Sequence, residues 1–320
     1  MIKILLRLAF YLPRRLAHKS PTSIARKLWL VATNATRQAS IMRALAQPAF
    51  ADYTLRFPCL TYKYIEENDL AQSFTMRERA TCHLHHYRFL QSRFSSGLLS
   101  RLLQDQVSVF EACEDGHRFV IAMAVAIQGF YEGELRLVFQ VDGDEVFGLS
   151  FTFIPGSLVG SKSRDVVLIS RLQGVKGRHE LIYLAEKALL GIKPAALLVS
   201  ALEGVCAACG VSELAGVTAA NQPYFHPEIE HIFKLAYDDF FTDIEATIVR
   251  PGFFHSPIPL HRKPMELINK SKRARARKRR AFKSQIADEV CQALQPALTG
   301  EIAAWALTRH AVQNLGCLDV

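Results

Sequence analysis

The feature that most limits how this chain can fold is a series of short apolar runs between residues 119 and 172. Phe119 to Ile127 is almost continuously apolar, as a strand covered on both faces requires. Leu135, Leu137, Phe139 and Val141 then alternate with other residues. Phe147, Leu149, Phe151 and Phe153 do the same, with Gly148, Ser150 and Thr152 between them. A period of two sends successive side chains to opposite faces of a strand. Asp142-Gly143 is a hairpin turn signal, Pro155-Gly156 ends the third run, and Val166 to Leu172 makes a fourth. Four strands this close leave no room for the crossovers that parallel strands need, so the segment predicts an antiparallel meander.

Helical periods surround the meander. Residues 22–50 read as helical and basic, with Leu28, Val31, Ala35, Met42 and Leu45 as the buried positions. Pro48 and Pro58 bracket a connection. Ser73 or Thr75 caps the next helix; Glu78, three residues past Thr75, makes a capping-box pattern, and Gly97 interrupts the helix. His179 to Leu190 and Pro194 to Cys209 predict two helices stopped by Gly191 and Gly210. Leu214 to Thr218 reads as a strand and Ala219 to Pro227 as a polar loop. Ile229 to Phe241 fits helix or strand equally. Residues 251–264 hold four prolines and predict an extended loop, and Pro264 opens a long helix to about Leu294. The expected fold class is α/β (α+β), with a mostly antiparallel central sheet, N-terminal helices and a long basic C-terminal helix. Three regions follow: a basic helical segment over 1–50, an α/β domain over 51–250, and a Pro-rich loop with the basic helix over 251–320.

Composition excludes two broad classes. Half of the 320 residues are apolar, too many for a chain disordered throughout. No run reaches the roughly 18 apolar residues of a spanning helix, which excludes a polytopic membrane protein. The net charge of +9 is unevenly spread. Residues 1–51 carry nine Lys/Arg and no acid, residues 270–283 carry nine more and no acid, and residues 52–269 are net acidic. The N-terminal stretch MIKILLRLAFYLPRRLAHKSP mixes bulky apolar and basic residues. Arg7 breaks the apolar stretch that a signal peptide needs. The stretch suits an anionic membrane surface, a helix docked on the body, or a loose terminus. A cytoplasmic protein, or one peripheral on the inner membrane, is expected.

Seven scattered cysteines are not a disulfide framework. Cys206 and Cys209 lack the second pair that a zinc ribbon requires and read as core. His83, His85 and His86 lack a visible third ligand, so packing or surface histidines, and no metal site, are expected. GSLVGSKS at 156–163 has the wrong glycine spacing for a P-loop and reads as a hairpin connection. The turn SRLQGVKGRHE at 170–180 is more suggestive. Arg171 and Gln173 end a strand, Gly174 and Gly177 flank a turn with Lys176 and Arg178, and His179 and Glu180 open a helix. Amide groups at a helix start hold phosphate well, although solvated charges on an ordinary turn explain the pattern too. No GxSxG occurs, and the residues name no catalytic group.

The block at 270–283 is the densest local signal: Lys270, Lys272, Arg273, Arg275, Arg277, Lys278, Arg279 and Arg280 lie within eleven positions. Phe282, Ile286, Val290 and Leu294 continue it as a helix with one apolar stripe. Basic residues nearly all round predict a segment projecting into solvent. It suits anionic lipid or lipopolysaccharide-like anions, nucleic acid phosphates, or no partner beyond solvent and the rest of the chain.

Several ordered segments together resemble the bacterial VirK/YbjX proteins, a family defined by a domain of unknown function. They are RFPCLTYKYI at 56–65, RERATCHLHHYRFL at 77–90, LSFTFIPG at 149–156, SRLQGVKG at 170–177, the stretch ALLGIKPAALLVSALEGVCAACGV at 188–211, GVTAANQ at 216–222, and YDDFF followed by SKRARARKRR. The resemblance implies an accessory role in envelope integrity, stress response, virulence or resistance to antimicrobial peptides, with no established chemistry. A second, weaker resemblance is to the GNAT acyltransferase fold: antiparallel strands, a helix ending Cys-Gly-Val, the strand LAGVT, then Asn221. It implies acyl-CoA as cofactor, with the Arg171-to-Gly177 turn in the pyrophosphate-binding place. The glycine spacing departs from that family's pattern, and Glu228 stands where many members carry a general-acid tyrosine. A third expectation is a nucleic-acid-associated stress protein.

Overall fold

The computed structural model describes residues 21–67, 69–126 and 132–299. Its centre is one sheet of eight strands: β1 (Val107–Glu114), β2 (His117–Val125), β3 (Leu135–Val141), β4 (Asp144–Pro155), β5 (Asp165–Gly174), β6 (Glu213–Val217), β7 (Thr247–Arg250) and β8 (Phe253–Pro257). The spatial order is β1-β2-β3-β4-β5-β6-β8-β7. Every neighbouring pair is antiparallel except β5 with β6. Asp115-Gly116 and Asp142-Gly143 both have positive φ at both positions, as the tight turns that match strand twist require.

The helices are α1 (Pro21–Thr33), α2 (Ala35–Leu45), α3 (Pro48–Arg56), α4 (Met76–Arg93), α5 (Ser96–Gln104), α6 (His179–Ala188), α7 (Pro194–Cys209), α8 (Glu230–Phe233), α9 (Asp239–Asp243) and α10 (Lys270–Leu294). A π-turn over Lys234–Asp238 joins α8 to α9. Thr75 and Glu78 close the capping box at the start of α4. Phe89 of α4 stacks on Phe153 of β4 at 4.1 Å, which anchors that helix to the sheet. Helices α7 and α10 pack so closely that a Cβ on Gly204 would lie 2.3 Å from the Ala287 carbonyl oxygen. Ile286, Val290 and Leu294 of α10 are buried in that contact, and Phe282 meets Phe110 edge-on at 6.2 Å. Cys206 and Cys209 are buried in α7 and unbridged, as core residues.

The meander is as expected, and so is Gly210, which ends α7 in the left-handed conformation. Other expectations need correction. The 22–50 stretch is two helices with a third starting at Pro48, and Ala35 is exposed because it opens α2 instead of facing the core. The helix from Thr75 ends at Arg93, before Gly97, which lies in the first turn of α5. Strand β1 lies outside the expected set; its burial is irregular because it is an edge strand. The proline-rich loop contains β8, which fits between β6 and β7 because only Pro257 falls inside it, at its end. The last helix starts at Lys270, not Pro264, after a short turn over Met265–Leu267. The N-terminal stretch 1–20 lies outside the described residues. No described helix is long and apolar enough to cross a membrane.

Candidate functional site

Ligands of open α/β sheets gather at the carboxyl ends of parallel strands. Here the one parallel pair is registered over only three positions: Val167 with Leu214, Leu168 with Ala215, and Ile169 with Gly216. Beyond Ile169 the strands part. β5 continues to Gly174 on β4 alone, after a bulge at Ser170 that re-aims the strand. β6 ends at Val217, and the next amide, Thr218 N–H, donates to the Gly252 carbonyl. The edge of β5 from Ser170 onward is therefore left without a strand partner on the β6 side.

Three side chains lie around that parting point. Arg171 Nη1 lies 3.0 Å from Glu132 Oε2, and the Ser170 hydroxyl donates to the Glu132 carbonyl. Arg171 also donates twice to Gln173 Oε1, at 2.8 and 3.1 Å. Tyr237, buried in the π-turn, hydrogen-bonds the Leu172 backbone, so its phenol stands at the open edge. A π-turn shifts helix register by one residue, and such turns recur at functional sites. The following helix is pressed onto β6: a Cβ on Gly216 would fall 2.0 Å from the Phe241 ring. Burial pushes the Glu132 carboxyl above the usual carboxylate range, and Arg171 only partly offsets it. Burial raises the Tyr237 phenol as well, with the nearby Glu132 charge adding to it. A carboxyl biased toward holding a proton and a phenol that keeps its own thus lie within electrostatic reach of each other.

A buried ion network holds the Glu132 segment in place. Lys63 Nζ donates to Gly133 O and to Glu134 Oε1, both at 2.8 Å, and lies 3.7 Å from Asp69 Oδ1. His83 Nε2 is 2.7 Å from Asp69 Oδ2, and its Nδ1 is 2.9 Å from Glu134 Oε1, near enough for an ion pair though off hydrogen-bond angle. Tyr87 donates to Glu134 Oε2 at 2.7 Å. Burial opposes a charge on His83, but Asp69 and Glu134 outweigh it and hold the ring's pKa at about 9. Burial likewise opposes charge on Glu134, yet Lys63 and His83 keep its carboxyl well below the ordinary range. Two cations and two anions balance in the interior. Gly133, at φ 139, passes so near Ser150 that a Cβ would lie 3.0 Å from it. The chain can make this approach only with glycine.

The family model described as "Protein of unknown function (DUF535)" matches residues 18–292. The chain belongs to this family. It is the one that the VirK/YbjX resemblance names. A relative from Haemophilus influenzae, described as an uncharacterized protein, is 25% identical over 223 residues, covering 68% of this chain and 72% of its own. No solved structure matches.

In this DUF535 member the residues singled out from sequence fall into different settings. Arg171 and Gln173 lie at the parting point. Gly174 is packed against Ile182 and Phe147, while a Cβ on Gly177 would meet nothing within 4 Å. Arg178 pairs with Asp144 at 2.9 Å across the turn. Lys176, His179 and Glu180 are exposed around the start of α6. Asn221 is buried and ties loops together: its Oδ1 accepts from Ser73 N–H at 2.8 Å and its Nδ2 donates to Gly252 O at 3.0 Å. Glu228 is exposed. Glu132 and Tyr237 were not singled out from sequence. Tyr237 lies in the YDDFF segment, sixteen positions past Asn221, where a search at sevenfold spacing does not look.

The basic block is not wholly solvated. Arg279 donates to Leu190 O and Gly191 O at 2.8 and 2.7 Å, closing the carbonyls just past the end of α6. Arg273 donates to Ile268 O and Glu266 O, both at 2.9 Å, and Arg280 to Lys263 O. Lys270, Lys272, Arg275, Arg277 and Lys278 are exposed. His83 and His86 are buried, His83 within the ion network, and no metal-holding group of side chains occurs among the described residues.

Proposed function

We infer that the protein is an acyltransferase that uses acyl-CoA and acts on an amine- or hydroxyl-bearing component of the bacterial envelope. The observation that carries this reading is the parting of β5 from β6 after three residue pairs, with Glu132, Arg171 and Tyr237 at the open edge. The sheet order, with one parallel pair inside an antiparallel sheet and a helical crossover between its strands, agrees with the GNAT-like resemblance. The envelope context comes from the VirK/YbjX resemblance.

The residues fit such a cofactor. The amide groups at the start of α6, with Lys176 beside them and open space around Gly177, suit a pyrophosphate. The strand edge from Ser170 to Gly174 offers backbone groups to an extended amide-bearing arm. When bound, acyl-CoA supplies a thioester carbonyl as electrophile. Glu132 takes the proton of the acceptor nitrogen or oxygen as its bond to that carbonyl carbon forms. Tyr237 gives its proton to the departing sulfur as the carbon–sulfur bond breaks. Arg171 keeps the Glu132 carboxylate turned toward the opening. A carboxyl raised by burial is a stronger base than an exposed one, which suits it to work near neutral pH.

A thermal-shift titration with acetyl-CoA and a long-chain acyl-CoA tests binding. Stabilisation that grows with ligand concentration is expected, and its absence at millimolar ligand overturns the reading. Transfer of a labelled acyl group to an envelope extract tests the chemistry. Tyr237→Phe and Glu132→Gln should each slow transfer by roughly 10²–10⁴-fold with little change in cofactor binding.

A further inference from the structure

A second concave site lies at the opposite end of β5, about six residues of strand, or roughly 20 Å, from Arg171. It is a groove of about 830 Å³ between α2, α4 and the β4–β5 connection. Four arginines line it: Arg37 from α2, Arg88 and Arg93 from α4, and Arg164 at the entry to β5. Among the described residues, Arg37, Arg88 and Arg164 have no carboxylate within ion-pair distance; Arg37 donates only to Asn34 Oδ1, at 2.6 Å. The one carboxylate among the described lining residues, Asp165, lies 3.7 Å from Arg93 Nη2 and 2.9 Å from His85 Nε2. The groove therefore keeps an excess of three positive charges in a concave setting, although the surrounding body is net acidic.

The lining is also divided by polarity. Ile41, Leu84, Phe89 and Pro155 form apolar parts of the wall, and Phe89 carries Arg93 over its ring at 5.3 Å. Ser40, Thr81 and Ser92 add hydroxyl oxygens beside the arginines, their protons given to the Thr36, Arg77 and Phe89 carbonyls. Planar guanidinium forks match the oxygens of a phosphomonoester. Apolar wall beside them matches a hydrocarbon portion, and the volume is that of a small-molecule site. A free inorganic anion would leave that wall unused.

We propose that this groove binds a phosphate-bearing amphiphile, its phosphomonoester held by Arg88, Arg164 and Arg37 and its apolar part laid along the half-buried Leu84 and Pro155. The site is separate from the acyl-transfer site and does not depend on that reading. Isothermal titration of the full chain with dihexanoyl phosphatidic acid, dihexanoyl phosphatidylcholine and inorganic phosphate tests it. Phosphatidic acid should bind, inorganic phosphate at least tenfold more weakly, and phosphatidylcholine not measurably. Arg88→Ala/Arg164→Ala should weaken phosphatidic acid at least tenfold while leaving the unliganded melting temperature and any acetyl-CoA shift unchanged. No heat with millimolar phosphatidic acid, equal binding of phosphatidylcholine, or wild-type affinity in the double variant would overturn the proposal. Inorganic phosphate binding as tightly as phosphatidic acid would overturn the amphiphile and reduce the groove to an anion site.

Discussion

The interior network and the groove use the same kinds of side chain in opposite ways. Around Glu134, two cations and two anions face each other with almost no exposure; Lys63 is 1% exposed and Asp69 0%. Along the groove, three arginines stand without a carboxylate among the described residues and in contact with solvent. In the first place charge is matched within the fold, so it sets stability and fixes the Glu132 segment. In the second it is left over, so it contributes little to stability and is available to a ligand. Burial with pairing, not charge alone, separates a structural ion from a recognition ion.

The contrast can be broken by mutation. Glu134→Gln removes the carboxylate that Lys63, His83 and Tyr87 share and leaves Asp69 alone against two buried cations. The expected cost is roughly 3–5 kcal/mol, which lowers the melting temperature by on the order of 10 °C in a domain of this size. Arg88→Ala, in the groove, should change stability by less than about 0.5 kcal/mol. Comparable losses in the two variants, measured by calorimetry, would remove the distinction.

The same contrast has a pH signature. His83 is charged in the fold up to about 9, against 6.5 for an unperturbed ring. Its contribution is therefore complete below about pH 6.5 and is lost as pH rises toward 9. His86 is the opposite case. Burial, chiefly, lowers it to about 3, and its Nδ1 accepts from the Phe153 amide at 3.1 Å. The unfolded chain takes up that proton first, so stability falls as pH drops from about 6.5 toward 3. Urea midpoints across this range should peak near pH 6–7. His83→Gln should flatten the alkaline limb, whereas Arg88→Ala/Arg164→Ala should leave the curve unchanged. A wild-type midpoint that holds level from pH 6.5 to 9 would contradict the paired imidazolium.

Much of the architecture was legible in sequence because it rests on local signals. The alternation of β3 and β4, the Asp-Gly turns, the Thr75–Glu78 box and the Gly210 stop are each written within a few residues. The parallel partner of β5 was legible only as a strand, since pairing partners 47 residues apart leave no local mark. β8 was hidden by its flanking prolines. Arg171 and Gln173 could be found because they end a strand before a glycine turn. Glu132 and Tyr237 could not, because one sits in a connection and the other in a π-turn whose register the helical period does not predict. Lys63 did leave a trace: it is a lysine inside Leu60-Thr61-Tyr62-Lys63-Tyr64-Ile65, where an apolar setting demands a buried partner.

The basic block of α10 lies between the two extremes, and it supplies the smallest effects. Sequence alone gives its arginines one character, yet Arg279 bonds two carbonyls at the end of α6 while Arg277 and Lys278 face solvent. Leu190 and Gly191 both adopt positive φ there, so the carbonyls they present cannot be satisfied by a continuing helix. Arg279→Ala should cost about 1 kcal/mol, the value of charge-assisted bonds that remain partly open to water. Arg277→Ala and Lys278→Ala should each cost less than about 0.5 kcal/mol. The same three variants separate structure from recognition in a vesicle-binding assay with anionic lipid. Loss of binding in Arg277→Ala and Lys278→Ala, with little loss in Arg279→Ala, marks the exposed face as the part that meets a partner. An equal loss in all three would mean that the helix binds as an undifferentiated cation, and that its contacts to α6 do not set which arginines are free.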